Sequence, residues 1–342
     1  MLPTAARRLP RSDLSLPAFG LGCAPLGGLH RPMPDGDAKD LIDAAFDSGV
    51  TFFDTAPYYG YTTSERRLGA ALAERDRTSF LLSTKVGRRL VPAVGVSRVT
   101  DGWHEAGPFR PVFDYTHDGI LRSFEDSLQR LGLDRVDVLL VHDIGQLTHG
   151  AHNAVHWDQL TEGGGWQALA SLKSQGLARA IGIGVNECEV VFDCMEEADL
   201  DCVMLAGRYT LLDHAGAIPL MERCAQRGVA VLAAGPFNSG VLAGGATFDY
   251  RPVPEPVRRK VEALRSACEQ AGVSLRAAAL QFPLAHPATF CCVAGAHARG
   301  ELLGNVADLG AQIPPAFWEK LRADGLVDER APLPPSGVAR MS

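Results

Sequence analysis

Eight β-rich runs alternating with helical stretches predict an α/β chain closed into a (β/α)8 TIM barrel. Two further observations support that fold class. The alternation runs over nearly the whole chain, without an internal repeat or a linker, and 342 residues suit one barrel lengthened by loop insertions. A doubly wound sheet is the alternative, but it rarely strings eight βα units together. The expected organisation is a single barrel domain over 1–342 with its core at about 15–310.

Taken in order, residues 16–28 form a short apolar strand running into a glycine-rich loop that lacks G-x-G-x-x-G. Residues 37–48 carry Leu41, Ile42, Ala45 and Phe46 on one face and read as a helix stopped by Gly49. The second strand, 49–54, ends on Asp54, and a helix starts at Ser64. The third, 80–87, reaches Lys85 at its end. Residues 88–117 form a long insertion with Gly, Pro and aromatics, expected to overhang the carboxyl edge as a lid. A helix over 118–131 has Asp118 as N-cap and Gly132 as stop. The fourth strand, 135–143, ends near His142, followed by a long loop over 146–165. Helices at 165–175, 187–197 and 217–227 alternate with strands at 178–186, 202–206 and 229–234. Helical segments at 255–271 and 274–282 precede the eighth strand, 289–295, a helix at 299–309 and an extra C-terminal helix, 313–321.

Composition narrows the function classes. The chain is 46% hydrophobic and 21% charged, with a net charge of -7 and no long run of either sign. That gives no basic footprint for nucleic acid and no membrane anchor. The first ten residues lack the apolar core of a signal peptide. Eight cysteines, none in C-x-x-C spacing, read as scattered buried thiols in a cytoplasmic protein. His149, His152 and His156 invite a metal reading, but no Cys or carboxylate completes a set, so no metal is expected. Nothing in the sequence specifies an oligomeric state.

The chemistry lies at the strand ends. In a parallel barrel the carboxyl ends converge on one mouth, which brings together Asp54 with Tyr59, Lys85 and His142. A phenol with a pKa near ~10 exchanges protons poorly at neutral pH. A neighbouring Lys85 can lower that pKa, and Asp54 can hold Lys85 charged and aimed. Tyr59 then serves as general acid or base and His142 orients a substrate oxygen. Such a set moves a proton but offers no nucleophile, which suits hydride transfer with an external cofactor and a small-molecule substrate.

These residues carry a resemblance. Phe53-Asp54-Thr55-Ala56-Pro57-Tyr58-Tyr59-Gly60, with Ser64-Glu65 and Leu68-Gly69, then Ser83-Thr84-Lys85-Val86-Gly87 and Val141-His142-Asp143, resemble the aldo-keto reductase superfamily of nicotinamide-dependent (β/α)8 oxidoreductases over about residues 19–309. The resemblance implies Tyr59 as acid/base, Lys85 and Asp54 as its tuning pair, and His142 as the orienting group. Arg208-Tyr209-Thr210-Leu211-Leu212-Asp213 and Gln281-Phe282-Pro283-Leu284-Ala285-His286-Pro287 look most like the L-fucose and D-threo-aldose 1-dehydrogenase branch, with pyridoxal 4-dehydrogenases close by. Implied cofactor contacts are Gly22, Asn186, Gly235, Phe237, Asn238, Ser239 and Gly240 around nicotinamide and pyrophosphate. Gly295, Ala296, Arg299, Glu301 and Asn305 fall at the adenosine end. Tyr58, Trp103 and His104 are the substrate-wall candidates.

The chain departs from the common superfamily pattern at Val185-Asn186, at Ala206 and at Ala234-Gly235, where many members carry Ser-Asn, Gln and a stacking Tyr. NADP-using members usually carry Arg four residues before the residue matched by Asn305; here Glu301 stands there, which favours NAD over NADP. Arg299, two residues away, argues the other way. Three readings follow: a dehydrogenase oxidising an aldose at C1 to the lactone, a pyridoxal 4-dehydrogenase or general aldehyde reductase, and a non-catalytic regulatory or binding barrel.

Overall fold

The computed structural model describes residues 3–335, so both ends of the expected 1–342 span lie outside the described residues. Eight parallel strands close a barrel in chain order: Phe19–Gly22, Phe52–Asp54, Leu81–Val86, Val138–His142, Ala180–Val185, Cys202–Ala206, Ala230–Ala234 and Thr289–Gly295. The last pairs with the first, Cys292 opposite Phe19 and Gly295 opposite Gly22.

Alternation along each strand separates two apolar layers. Phe52, Val138, Leu140, Cys202, Met204, Ala230 and Leu232 point inward and pack with Leu9, Leu14 and Leu16. These three leucines come from an N-terminal hairpin, Ala6–Arg8 against Ser15–Pro17, which plugs the amino end of the barrel. Phe53, Leu139, Val141, Ile181, Ile183, Val203 and Leu205 point outward, against the helices. With the amino end plugged, the opposite mouth is where a cavity forms.

The surrounding helices are Asp35–Asp47, Thr63–Leu72, His117–Leu131, Gly165–Ser174, Glu189–Glu197, Ile218–Arg227, Glu255–Ala271, Leu275–Gln281 and Arg299–Gly310, with Pro315–Ala323 outside the repeat. Three expectations are corrected. Residues 88–117 form an arm of two antiparallel strands, Arg88–Pro92 and Phe109–Phe113, rather than a loop. Arg88 and Arg89 stand opposite Phe113 and Val112, and Val91 opposite Arg110, below a tip that holds three glycines. The N-cap of the helix beginning at His117 is Thr116, whose Oγ1 accepts from the Gly119 amide at 3.1 Å. Asp118 sits inside the first turn, where its charge complements the helix dipole.

The stretch 146–165 is not a loop either. It folds into Gln146–His149, a 3-10 turn and Asn153–Leu160. Two of its histidines are packed: His149 Nε2 lies 2.9 Å from the Tyr115 hydroxyl, and the His149 and His156 rings are 4.1 Å apart, while His152 is exposed. The eight cysteines are free thiols, seven of them buried. Among the described residues no helix is long and apolar enough to cross a membrane.

Candidate active site

Strand register brings the site together. Gly22 stands opposite Asp54, Lys85 opposite Leu140 and His142 opposite Gly184. Asp54, Lys85 and His142 are 3%, 2% and 5% exposed, so their charges meet little water. The Lys85 ammonium donates to both Asp54 oxygens and to the Thr55 carbonyl, each at 2.9 Å. Ser83 Oγ donates to the same carboxylate. A buried pair needs this degree of satisfaction to offset its desolvation. Gly184, two strands away from Lys85, faces the lysine stem, and a Cβ there would lie 3.4 Å from Lys85 Cε.

Tyr59 sits on the loop after the second strand. That loop is clamped at Gly60, where a Cβ would fall 2.4 Å from the Gly27 carbonyl oxygen. Tyr61 and Thr62 follow with positive φ of 50° and 85°, a strained backbone of the kind that collects at functional sites. Ser64 and Thr55 share a 2.9 Å hydrogen bond, and Ser64 Oγ reaches the Cys23 carbonyl at 2.7 Å. Behind this loop, buried Glu65 accepts from Thr84 Oγ1 at 2.7 Å and pairs with Arg130.

The Lys85 ammonium lies 4.8 Å from the centroid of the Tyr59 ring. With Lys85 beside it, the Tyr59 phenol is still not brought below its ordinary range. Burial, and next the charge of Asp54, push the phenol well above its ordinary range. The lysine charge faces Asp54 directly and reaches Tyr59 only through the ring face, so the phenol is held protonated. His142 is shifted down, by burial first and then by Lys85 and Arg88. It is a neutral imidazole, and its Nδ1 has no partner among the described residues.

A cavity of about 690 Å³ opens over these four residues. It is lined by Tyr58 and Trp103, and further along by Gly22, Asn186, Gly235, Phe237, Ser239, Gly240, Gly295, Glu301 and Asn305. Trp103 comes from the tip of the arm and bridges to Leu29. Its ring stands 5.5 Å from Tyr58, edge-on, and 5.7 Å from Tyr59.

Four expected residues do not line the cavity. Asn238 instead clamps the loop, accepting from Thr210 Oγ1 at 2.6 Å and donating to the Gly207 carbonyl at 3.0 Å. Ala296 is buried in the outer core. Arg299 turns away to Asp40 and Asp47 on the first helix. The His104 amide donates to the Gly28 carbonyl at 2.9 Å, which fixes the arm to the first loop.

Other lining residues escaped the sequence reading: Arg88, Asp101, Asp143, Tyr250, Arg276 and His297. Arg88 and Asp143 follow close behind Lys85 and His142 in sequence and were within reach of a strand-end search. Arg276 sits on a later helix with no local signal. It donates to Asn305 Oδ1 at 2.6 Å, pairs with Asp308 and covers the Phe237 ring at 5.1 Å.

The cavity fits a nicotinamide dinucleotide. Asn238, Ser239 and Gly240 have consecutive positive φ values of 46°, 57° and 98°. The Asn238 and Gly240 amides bond within the turn, to the Gly235 and Phe237 carbonyls, and the Ser239 amide has no acceptor among the described residues. Phe237 and Arg276 offer a flat, cationic surface beyond that turn. Among the described residues no group of His, Cys, Asp and Glu is arranged to hold a metal ion.

Comparison with known proteins agrees with this geometry. A model of the aldo/keto reductase family matches residues 18–323. A pyridoxal 4-dehydrogenase from Microbacterium luteolum is 43% identical, covering 94% of this chain and 97% of that protein. A D-threo-aldose 1-dehydrogenase from a Pseudomonas species is 35% identical, over 92% and 96% respectively. Among solved structures, an aldo-keto reductase from Bacillus halodurans in its holo form superposes with a TM-score of 0.71 at 25% identity, covering 94% and 96%. The chain belongs to the aldo/keto reductase family and is a nicotinamide-dependent oxidoreductase acting on small molecules.

Proposed function

We propose that this enzyme oxidises the carbinol carbon of a cyclic hemiacetal to a lactone, that the hemiacetal is fused to a flat heteroaromatic ring of the pyridoxal kind, and that NAD is the preferred acceptor. The observation that carries the ring is the aromatic wall beside the acid/base group, with Trp103 and Tyr58 set against Tyr59 and His142. Aromatic pairs add stabilisation beyond the area they bury, so a flat ring gains more from this wall than a puckered sugar does.

The hemiacetal follows from the chemistry. Pyridoxal, D-threo-aldoses and L-galactose, the compounds named for three relatives, all cyclise to hemiacetals in water. A hemiacetal carbon carries both a hydrogen and a hydroxyl, so losing one hydride and one proton completes its oxidation without added water. A bound nicotinamide supplies the hydride acceptor. Tyr59, as phenolate, takes the hydroxyl proton, and the neutral His142 imidazole orients the same oxygen. Lys85 and Asp54 keep the local charge balanced as the proton moves.

At the adenosine end the cations are engaged. The Glu301 carboxylate pairs with Arg31 at 2.8 Å and accepts the His297 amide at 2.9 Å, while Arg276 is tied to Asp308 and Asn305. With Arg299 directed at Asp40 and Asp47, a carboxylate is left facing the place of a 2′-phosphate, which favours NAD. Oxidation of an aldose such as L-fucose at C1 is the second reading, favoured by the D-threo-aldose 1-dehydrogenase relative and by the polar groups Asp101, Arg88 and Asp143 on the wall. The test is NAD reduction with pyridoxal and with L-fucose and D-threo-aldoses, with mass analysis for the lactone. Faster turnover of an aldose than of pyridoxal overturns the heteroaromatic reading.

A further inference from the structure

A second, partly buried ion pair lies beside the Asp54, Tyr59, Lys85 and His142 set, and the acid/base chemistry does not use it. Arg88 Nη1 donates to Asp143 Oδ2 at 3.0 Å, with side chains 14% and 18% exposed. The Arg88 guanidinium lies over Tyr58, its carbon 3.2 Å from the ring centroid, and its Nε has no partner among the described residues. Asp143 adopts a positive φ of 54°, an uncommon conformation for an aspartate directly after His142. Its Oδ2 is 3.5 Å from His142 Nε2, which places Arg88 one group sideways from the residue that holds the reacting oxygen.

The Tyr58 ring carries this row outward to a second carboxylate. The Tyr58 hydroxyl donates to Asp101 Oδ2 at 3.2 Å and the Tyr61 hydroxyl donates to the same oxygen at 2.6 Å. Asp101 sits on the arm, and Arg88, Asp143, Tyr58 and Asp101 all line the cavity. From the inside out the wall therefore presents a cation close to the reacting centre and a carboxylate at the mouth, joined by an aromatic ring.

We propose that Arg88 and Asp101 are specificity-determining residues that recognise a zwitterionic aromatic ring. Arg88 binds a phenolate oxygen on the ring carbon next to the one bearing the hemiacetal, and Asp101 accepts from a pyridinium N–H on the far side of the ring. Asp143 is a positioning residue that aims Arg88. This rests on the heteroaromatic reading above and deepens it. The two charges of such a ring are fixed in position, the anion beside the reacting carbon and the cation opposite it, as the wall orders its own charges. A neutral sugar presents neither. Charge-assisted hydrogen bonds in a half-buried wall give orientation as well as affinity, and orientation sets which carbon faces Tyr59.

The test compares three hemiacetal substrates on the full-length enzyme with NAD: pyridoxal, 3-O-methylpyridoxal, which lacks the phenolate, and 1-hydroxyphthalan, a fused hemiacetal with neither charge. With the unaltered enzyme, methylation should raise KM by about tenfold or more, the range expected for a charge-assisted hydrogen bond. R88M should lower kcat/KM for pyridoxal at least about tenfold more than for 1-hydroxyphthalan, chiefly through KM, with R88K recovering part of the difference. D101N should move the ratio in the same direction. Equal losses on the charged and uncharged rings, or a KM indifferent to methylation, would make the pair purely structural and overturn this inference alone. Failure of the unaltered enzyme to oxidise any aromatic hemiacetal would overturn the heteroaromatic reading along with it. The methylation comparison needs no variant, so misfolding of R88M leaves the inference open to refutation.

Discussion

Lys85 Nζ stands 2.9 Å from each oxygen of the Asp54 carboxylate, while it meets Tyr59 only across the ring face, at 4.8 Å from the centroid. The Asp54 charge therefore adds to burial in raising the phenol. Burial dominates the phenol, and its proton is held until substrate and cofactor change the surroundings.

Replacing Tyr59 with Phe should lower turnover by about 10²–10⁴, the usual cost of losing a general acid/base group. Phe preserves the packing against Trp103 and His142. NADH binding, followed by fluorescence titration, should stay within a few-fold of the unaltered enzyme. Near-normal turnover would remove Tyr59 from the mechanism.

The pH dependence follows from the direction of the Tyr59 shift. Alcohol oxidation needs a deprotonated phenol, so kcat/KM for oxidation should rise toward alkaline pH. Carbonyl reduction uses the protonated form and should fall there. His142 is shifted down and stays neutral above the mildly acidic range, so it should add no step between about pH 6 and 8. Lys85→Met leaves Asp54 without its cation and should move the oxidation profile further to the alkaline side. An unmoved profile would show that Lys85 does not influence the phenol.

The Glu65–Arg130 pair predicts a loss of stability separable from chemistry. Arg130 approaches the buried Glu65 from the helix His117–Leu131, while Glu65 also accepts from Thr84. Arg130→Met strands that carboxylate and should cost about 3–5 kcal/mol of unfolding free energy. Adding Glu65→Gln should recover much of the loss. Denaturant unfolding of the single and double variants measures both, and a single-variant loss well below 1 kcal/mol would contradict the pairing.

Cofactor choice is tested at Glu301. Glu301→Arg replaces the carboxylate proposed to meet the ribose with a cation and releases Arg31. The ratio of kcat/KM for NADP to that for NAD should rise by about tenfold to a hundredfold, as expected for a charge-assisted contact with phosphate. A preference for NADP in the unaltered enzyme, or a ratio that the substitution leaves alone, would rule Glu301 out as the selector.

By itself, the sequence determined the barrel and the four central residues of the site. Apolar β-rich runs ending in Asp54, Lys85 and His142 are local features, and a parallel barrel gathers strand ends at one mouth whatever the loops do. The motif residue Glu65 was also legible, though not its contact with Arg130. Tertiary structure alone decided the rest of the wall. Arg88 meets Asp143 across 55 residues, Arg276 meets Asn305 across 29, and Arg31 meets Glu301 across 270. Such pairs depend on how the arm and loops pack over the mouth, and local propensity and periodicity carry no information about that. The same limit explains Asn238 and Arg299. Each is a polar residue in a loop or first helical turn near the cofactor groove, and only the packing of its neighbours turned it toward Thr210 and Gly207 or toward Asp40 and Asp47.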